Sequence, residues 1–399
     1  MPRFEPFRGL RYRPERVKLD QVIAPPYDVI DSAERVHLAS RSPANSVLVE
    51  LPEPDLSGGR DRYQVASALL SSWLAEGIVG VEAAPALYPY RMTSPDGRRS
   101  TGVIGALGLP ADGEEGEILP HEQTLPKPKS DRLDLLRATQ ANLSPIWGLS
   151  LSAGLSATFE PDGPAVIDVV DDDGVRHELW VLDEPDVLDA VSDALGAAPV
   201  VIADGHHRYE TARAYQREVR AQNGDRPGPH DLVMALVVEL AEDQLTVGPI
   251  HRTLDGLPEG FDLPAAFAKW FDVVRAGPAT EVVVGALGDS ASLALVTPDG
   301  AWLLTAHPEV YEAADSDLDS SLVALVDAEL PAHTSTHRHS WAEAYGALTA
   351  GHAQAAVLLR PVTVAQISEW AAARRKMPPK TTYFSPKPRT GMVFRSLAH

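Results

Sequence analysis

The chain of 399 residues contains no cysteine. Disulfides, thiolate nucleophiles and zinc sites built on sulfur are thereby excluded. It has no run of 18 apolar residues, and the opening stretch "MPRFEPFRGLRYRPERV" lacks the apolar segment of a secretory signal. The expectation is a cytoplasmic protein without a membrane span. Basic residues are scarce: 35 Lys+Arg stand against 56 Asp+Glu, a formal charge of −21. Binding to nucleic acid depends on neutralising phosphates, so this balance argues against that partner. The known phosphate-cradling fingerprints are missing too. There is no P-loop G-x-x-x-x-G-K-[ST], and "GVIGALG" (102–108) spaces its glycines wrongly for a dinucleotide fold. It reads instead as a strand packed closely against a neighbour.

What is present is an ordinary globular composition, 44% hydrophobic and 23% charged, at a length that suits two or three domains. Strand-like and helical patterns alternate loosely, which gives an α/β or α+β class. The spacing predicts helices over 62–76, 185–196, 263–271 and 364–376. Strand-like runs fall at 86–92, 101–109, 165–182, 232–240, 282–287, 293–296 and 355–359. A polar stretch, "PADGEEGE" (110–117), reads as a connector. The expected units are therefore 1–110, 111–225 and 226–399.

The most informative segment is "VVIADGHHRYETARAYQ" (200–216). A short β-branched run meets a glycine, and beyond it Tyr209, Ala212, Gln216 and Val219 recur at helical intervals. A strand, a glycine turn and a helix N-terminus make an anion site, because the first N–H groups of a helix are unpaired and its dipole favours negative charge. Arg208 supplies a planar fork, His206 and His207 can donate ring N–H bonds, and Asp204 could hold a metal ion or a hydroxyl. The competing reading is structural, with one histidine capping the strand and Arg208 paired to Glu210 or Glu239 at the surface.

Other segments offer weaker chemistry. "ILPHEQT" (118–124) sets His121 beside Glu122 in a proline-bounded turn, where a carboxylate can act as general base or be merely solvated. "SDRLDLLRATQANLSP" (130–145) follows as a helix with Ser130 at its N-cap and Leu133, Leu136 and Leu143 as core. "HTSTHRH" (333–339) alternates in a way that suits a half-exposed strand or loop better than a metal site. "KMPPKTTYFSPKPRTG" (376–391) gathers Lys376, Lys380, Lys387 and Arg389 on a proline-stiffened loop. It is expected to fold back so that Lys380 adds charge at the phosphate pocket. The alternative is a cover for a sheet edge, with Tyr383 and Phe384 buried.

Taken together, "APPYDVI" (24–30), "LPHEQT" (119–124), "DRLDLLRATQANLSP" (131–145), "ADGHHRYETA" (203–212) and "MPPKTTYFSPK" (377–387) resemble a bacterial and archaeal family catalogued as domain of unknown function ten-fifteen. The match spans essentially the whole chain. More distantly, the order of Pro-His-Glu turn, helix, strand and Gly-x-x-Arg turn is similar to the ParB and sulfiredoxin superfamily, in which that last turn binds nucleotide phosphate. Gly205 and Arg208 fill its two positions. The Asp-Gly-His-His-Arg signature further resembles an archaeal ADP-dependent kinase of free serine, whose general base is a glutamate in the earlier turn.

That resemblance implies a ParB/sulfiredoxin-like core with a large N-terminal unit and a C-terminal α/β unit. It implies Glu122, Asp204 and His207 as catalytic residues. Gly205, His206, His207 and Arg208 would bind the cofactor, with Lys380 added from the basic loop. ADP or ATP with Mg²⁺ would be the cofactor, no resident metal site is expected, and a small serine-like hydroxyl compound would be the acceptor. The other class of function is a nucleotide-binding or nucleotide-hydrolysing regulatory protein. The sequence departs from the superfamily in lacking the sulfiredoxin cysteine and any ParB-type DNA-binding module. About 60 residues also separate the helix after the Pro-His-Glu turn from the Gly-x-x-Arg turn.

Overall fold

The structure, a computed structural model, describes residues 2–111, 116–120, 130–287 and 292–398. The class is mixed α/β. The chain forms two compact units, one made of 1–246 with 386–399 and one of 247–385. The expected boundaries at 110 and 225 are not where it divides. The reason is strand pairing, because strands from all three expected units are hydrogen-bonded into the same sheets of the first unit.

In the first unit the strands are β1 (Phe4–Glu5), β2 (Gly9–Tyr12), β3 (Val79–Val81), β4 (Tyr88–Thr93), β5 (Arg99–Gly108), β6 (Ile118–Pro120), β7 (Ala141–Asn142), β8 (Ile146–Ser150), β9 (Ile167–Val170), β10 (Arg176–Leu179), β11 (Val200–Asp204) and β12 (Leu232–Glu239). Nine of them form one sheet in the order β6-β11-β8-β12-β5-β4-β10-β9, with β1 also on β5. The central strands β8 and β12 are buried along nearly their whole length, as near-continuous apolar runs require. Glycines let neighbours close in on β5. A Cβ at Gly102 would stand 2.6 Å from the Val237 carbonyl oxygen, and one at Gly105 would stand 2.4 Å from the Phe4 ring, so "GVIGALG" is a packing strand.

Six helices accompany these sheets: α1 (Ser32–Arg41), α2 (Val47–Glu50), α3 (Arg62–Ala75), α4 (Ser130–Thr139), α5 (Pro185–Gly196) and α6 (His206–Asn223). Helices α3 and α5 fall almost where periodicity puts them. The expected strand-like stretch 165–182 is the β9–β10 hairpin, turned at Gly174 with φ +75°. In α4 the buried leucines are Leu135 and Leu136, while Leu133 is only half-buried.

The second unit carries β13 (Thr246–Gly248), β14 (His251–Asp255), β15 (Phe271–Gly277), β16 (Leu293–Thr297), β17 (Gly300–Ala306), β18 (Thr334–Arg338), β19 (Ala355–Leu359) and β20 (Tyr383–Ser385). Six form a sheet, β15-β17-β16-β19-β14-β18, and β13 pairs β20. Its helices are α7 (Leu263–Phe267), α8 (Val282–Gly285), α9 (Pro308–Ala314), α10 (Asp319–Asp327), α11 (Trp341–Thr349) and α12 (Val364–Ala372). Residues 282–285, expected as strand, are helical. Val283 packs with Ala294, Ala344 and Ala347, and this contact overrides its β-branched preference. The helix expected over 263–271 stops at Phe267 because Phe271 already pairs with Ala306. The "HTSTHRH" segment is the edge strand β18, and among the described residues no group of three His, Cys, Asp or Glu could hold a metal ion. Among the described residues no helix is long and apolar enough to cross a membrane.

The last segment returns to the first unit as β21 (Phe394–Ser396), which completes a four-stranded sheet, β3-β2-β21-β7. Thr390 bridges to Ala24 in "APPYDVI".

Candidate functional site

The site grows from the junction of β11 and α6. Strand β11 runs parallel to β6 and antiparallel to β8, and its register slips between Ile202 and Asp204 so that Asp204 lies opposite Trp147. A bulge of this kind re-aims the residue that follows it. Gly205 then takes φ +88°, a left-handed conformation that suits glycine, and α6 starts at His206. Gly205 is the N-cap and has no side chain with which to satisfy the first N–H groups of this 18-residue helix.

Arg208, one turn in, points back across the helix start. Its side chain is only 11% exposed, donating through Nη2 to Asp204 Oδ2 at 2.8 Å and through Nη1 to the Pro145 carbonyl oxygen. Its Nε is buried and has no hydrogen-bond partner among the described residues. The surface pairing with Glu210 or Glu239 does not occur. Glu239 instead accepts from the Gly154 and Ser156 N–H groups, and from the Ser156 hydroxyl. The other Asp204 oxygen, Oδ1, takes Lys387 Nζ at 2.7 Å. Burial alone would raise the Asp204 carboxyl, but Lys387 and Arg208 outweigh it and hold the group below its usual range. The same pairing raises the Lys387 ammonium against the effect of burial.

A second layer comes from distant sequence. Glu50, at the end of α2, is buried and accepts from Ser144 Oγ at 3.2 Å, and its Oε2 has no hydrogen-bond partner among the described residues. Burial raises its carboxyl above the ordinary value even though Arg132 stands 3.7 Å away and Arg208 also acts on it. Arg132 donates to the Glu50 carbonyl and to Asp131, and lies 4.5 Å from the centre of the Tyr27 ring. Arg208, Asp28, Arg132 and Glu50 all modulate the Tyr27 phenol, whose burial raises it. Glu50, Arg132, Ser144, Arg208 and Thr211 share a cavity of about 50 Å³ with apolar neighbours on α4. That volume suits one small polar group.

Four of the five motifs therefore converge: "APPYDVI" through Tyr27 and Asp28, "DRLDLLRATQANLSP" through Arg132, Ser144 and Pro145, "ADGHHRYETA" through Asp204 and Arg208, and "SPK" through Lys387. His206 and His207 open α6 beside them, and His206 lowers the Asp204 carboxyl further. The fifth motif carries Glu122, which lies outside the described residues, as does His121. Pro120, two residues before Glu122, pairs with Ile202 at the end of β11. Lys380 belongs to the second unit, where its carbonyl accepts from Arg252 Nη2 at 3.0 Å. The lysine that meets Asp204 is Lys387. Sequence reading passed over Glu50 altogether. A lone Glu at the end of "SVLVE" carries no local signal, and its burial arises only when α2 packs in the first unit.

These features define a mixed α/β protein with a cation-lined turn at a helix N-terminus. A family model described as "Protein of unknown function (DUF1015)" matches residues 4–328, and the chain belongs to that family. Comparison with curated proteins gives no match. Similar solved structures include a free serine kinase in complex with AMP, 13% identical over 70% of this chain and 88% of that one, with TM-score 0.40. A conserved hypothetical protein from Pyrococcus furiosus is 13% identical over 69% and 90% of the two chains, with TM-score 0.38. SbnI with C-terminal truncation from Staphylococcus aureus is 12% identical over 73% and 86%, with TM-score 0.40.

Proposed function

We propose that the Asp204–Arg208 turn binds the phosphates of ADP or ATP and that the protein transfers a phosphoryl group between the nucleotide and a small, serine-like hydroxyl compound. The observation that supports this most is the buried Arg208 Nε, without a hydrogen-bond partner among the described residues, beside the uncapped start of α6. A phosphate oxygen would satisfy both the guanidinium and the first helix N–H groups. In this reading Asp204 is a positioning residue, since both its oxygens fix Arg208 and Lys387 rather than facing substrate. His206 and His207 would donate to the transferred phosphate, and Lys387, paired with Asp204, would add positive charge there.

In the transfer step the acceptor oxygen bonds to phosphorus while the bond to the leaving nucleotide oxygen breaks. The hydroxyl proton passes to the Glu122 carboxylate. Both Asp204 oxygens are engaged by Arg208 and Lys387, so this reading assigns Asp204 no magnesium-binding role. Magnesium would arrive on the nucleotide phosphates, as it commonly does. Incubation with ADP or ATP, Mg²⁺ and a pool of hydroxyl metabolites, read by mass spectrometry, tests the proposal. A new phosphorylated compound, lost in Glu122→Gln, is the expected result. Release of inorganic phosphate alone would make the protein a nucleotide-hydrolysing regulator instead.

A further inference from the structure

A further cavity of the first unit lies apart from the one beside Arg208. It measures about 1220 Å³ and is walled by β1 and β2, one side of α3, the last turn of α4 and the end of β21. Ala141 touches both cavities, but the large one contains none of Asp204, Arg208, Arg132 or Glu50. Its apolar wall includes Phe7, Leu70, Leu74 and Val79. The charge of its lining is inverted relative to the chain. Five arginines, Arg3, Arg8, Arg13, Arg137 and Arg395, meet only Glu5 and Asp231, in a protein whose acids outnumber its bases by 56 to 35.

Several of these charges are already answered. Arg3 pairs with Glu5, Arg137 with Glu218, and Asp231 with Arg220. Arg8 and Arg13 pair with no carboxylate among the described residues, and Arg8 uses its Nε on the Glu82 carbonyl. Arg395 is the decisive residue. It is 4% exposed, yet its three hydrogen bonds go to neutral oxygens only: Asn142 Oδ1 at 3.2 Å, the Leu232 carbonyl at 2.9 Å and the Pro229 carbonyl at 2.9 Å. A guanidinium has five N–H donors, so two remain; among the described residues no carboxylate pairs with Arg395, and Glu5 acts on it only without contact. Burial lowers this guanidinium to about 10, which still leaves it charged at neutral pH. A buried cation without a carboxylate is costly unless an anion completes it.

We infer that this cavity is a second binding site, for an organic anion with a carboxylate or phosphate head held at Arg395 and an apolar body lying along Phe7, Leu70, Leu74 and Val79. The head would take the remaining Arg395 donors, with Arg8 and Arg13 supplying positive potential at the rim. The volume exceeds that of a lone inorganic ion and suits a metabolite with a hydrocarbon or ring portion. The inference is independent of the nucleotide proposal.

Octanoate, octyl phosphate and octanol share a body and differ in the head. Calorimetry on the full chain should show one-to-one binding of at least one of the two anions, with octanol weaker by roughly tenfold or more. The better anion identifies the head group. Arg395→Met should weaken that anion by roughly tenfold and leave octanol unchanged. Should Arg395→Met fail to fold, Ser71→Trp serves instead. Ser71 is exposed on the cavity wall, and an indole there should block all three compounds without disturbing the core. Arg208→Ala should leave anion binding at this site intact. The inference is overturned if neither anion binds at millimolar concentration, if octanol binds as tightly as the anions, or if folded Arg395→Met or Ser71→Trp binds as the wild type does.

Discussion

Single residues set the site. Gly205 at φ +88° could be replaced by alanine only with left-handed strain, and the added Cβ would stand 3.1 Å from the Arg208 guanidinium. Gly205→Ala should therefore lose about 1–2 kcal/mol in urea unfolding and weaken nucleotide binding by moving Arg208. Unchanged stability would mean that the turn is not held as described. His251 gives a pH-dependent counterpart in the second unit. It is 2% exposed, accepts the Leu359 N–H at Nδ1, and burial lowers its imidazole from 6.5 to about 4. As pH falls below about 6.5 the unfolded chain takes up a proton that the folded chain refuses until about 4. Stability is thus present above that window and lost on acidification through it, by roughly 3 kcal/mol at most. His251→Asn should flatten that part of the pH dependence measured by denaturant unfolding of the second unit. An unaltered slope would remove His251 as the cause.

At the scale of elements, the strand–turn–helix unit was legible in the sequence because its signals are local. A β-branched run, a glycine and a 3.6-residue period lie within 20 residues, and β11 and α6 fall where those signals put them. The partners of the turn were not legible. Lys387 reaches Asp204 across 183 positions, and Glu50 meets Ser144 across 94, so no spacing rule could choose Lys387 over Lys380. The stretch 282–285 reads as strand because propensity ignores the packing of Val283 in the helix. If the Lys387–Asp204 pair orients Arg208 as well as adding charge, Lys387→Met should weaken nucleotide binding, and Arg208→Ala in that background should cost less than it does alone. Strict additivity in the double-mutant cycle would show that Lys387 acts separately.

For the molecule as a whole, sequence composition gave the class but not the partition. The return of residues 386–399 to the first unit depends on long-range contacts. Arg389 binds Asp171 and Asp173, and the Asp171 carboxyl, despite partial burial, is held far below its usual range by His177 and Arg389. His177 in turn bonds Tyr90 at 2.7 Å. Deleting 386–399 would strand these partners, and losing one side of a buried ion pair costs about 3–5 kcal/mol. Hydrogen exchange should then show lost protection in β2, β7, β9 and β10 while the sheet from β14 to β19 stays protected. Loss of protection throughout the second unit would contradict the two-unit description. The charge of −21 further predicts no sequence-specific DNA band in a shift assay at about 150 mM salt.

The central claim is that Arg208 and the start of α6 hold nucleotide phosphate. Titration calorimetry of ADP and ATP into wild type and Arg208→Ala tests it most directly, with circular dichroism to show that both are folded. The account predicts one-to-one binding that weakens by roughly 1.5–3 kcal/mol in Arg208→Ala, the worth of a charge-assisted hydrogen bond. Equal affinity in the two proteins, or no binding of either nucleotide at millimolar concentration, would contradict it.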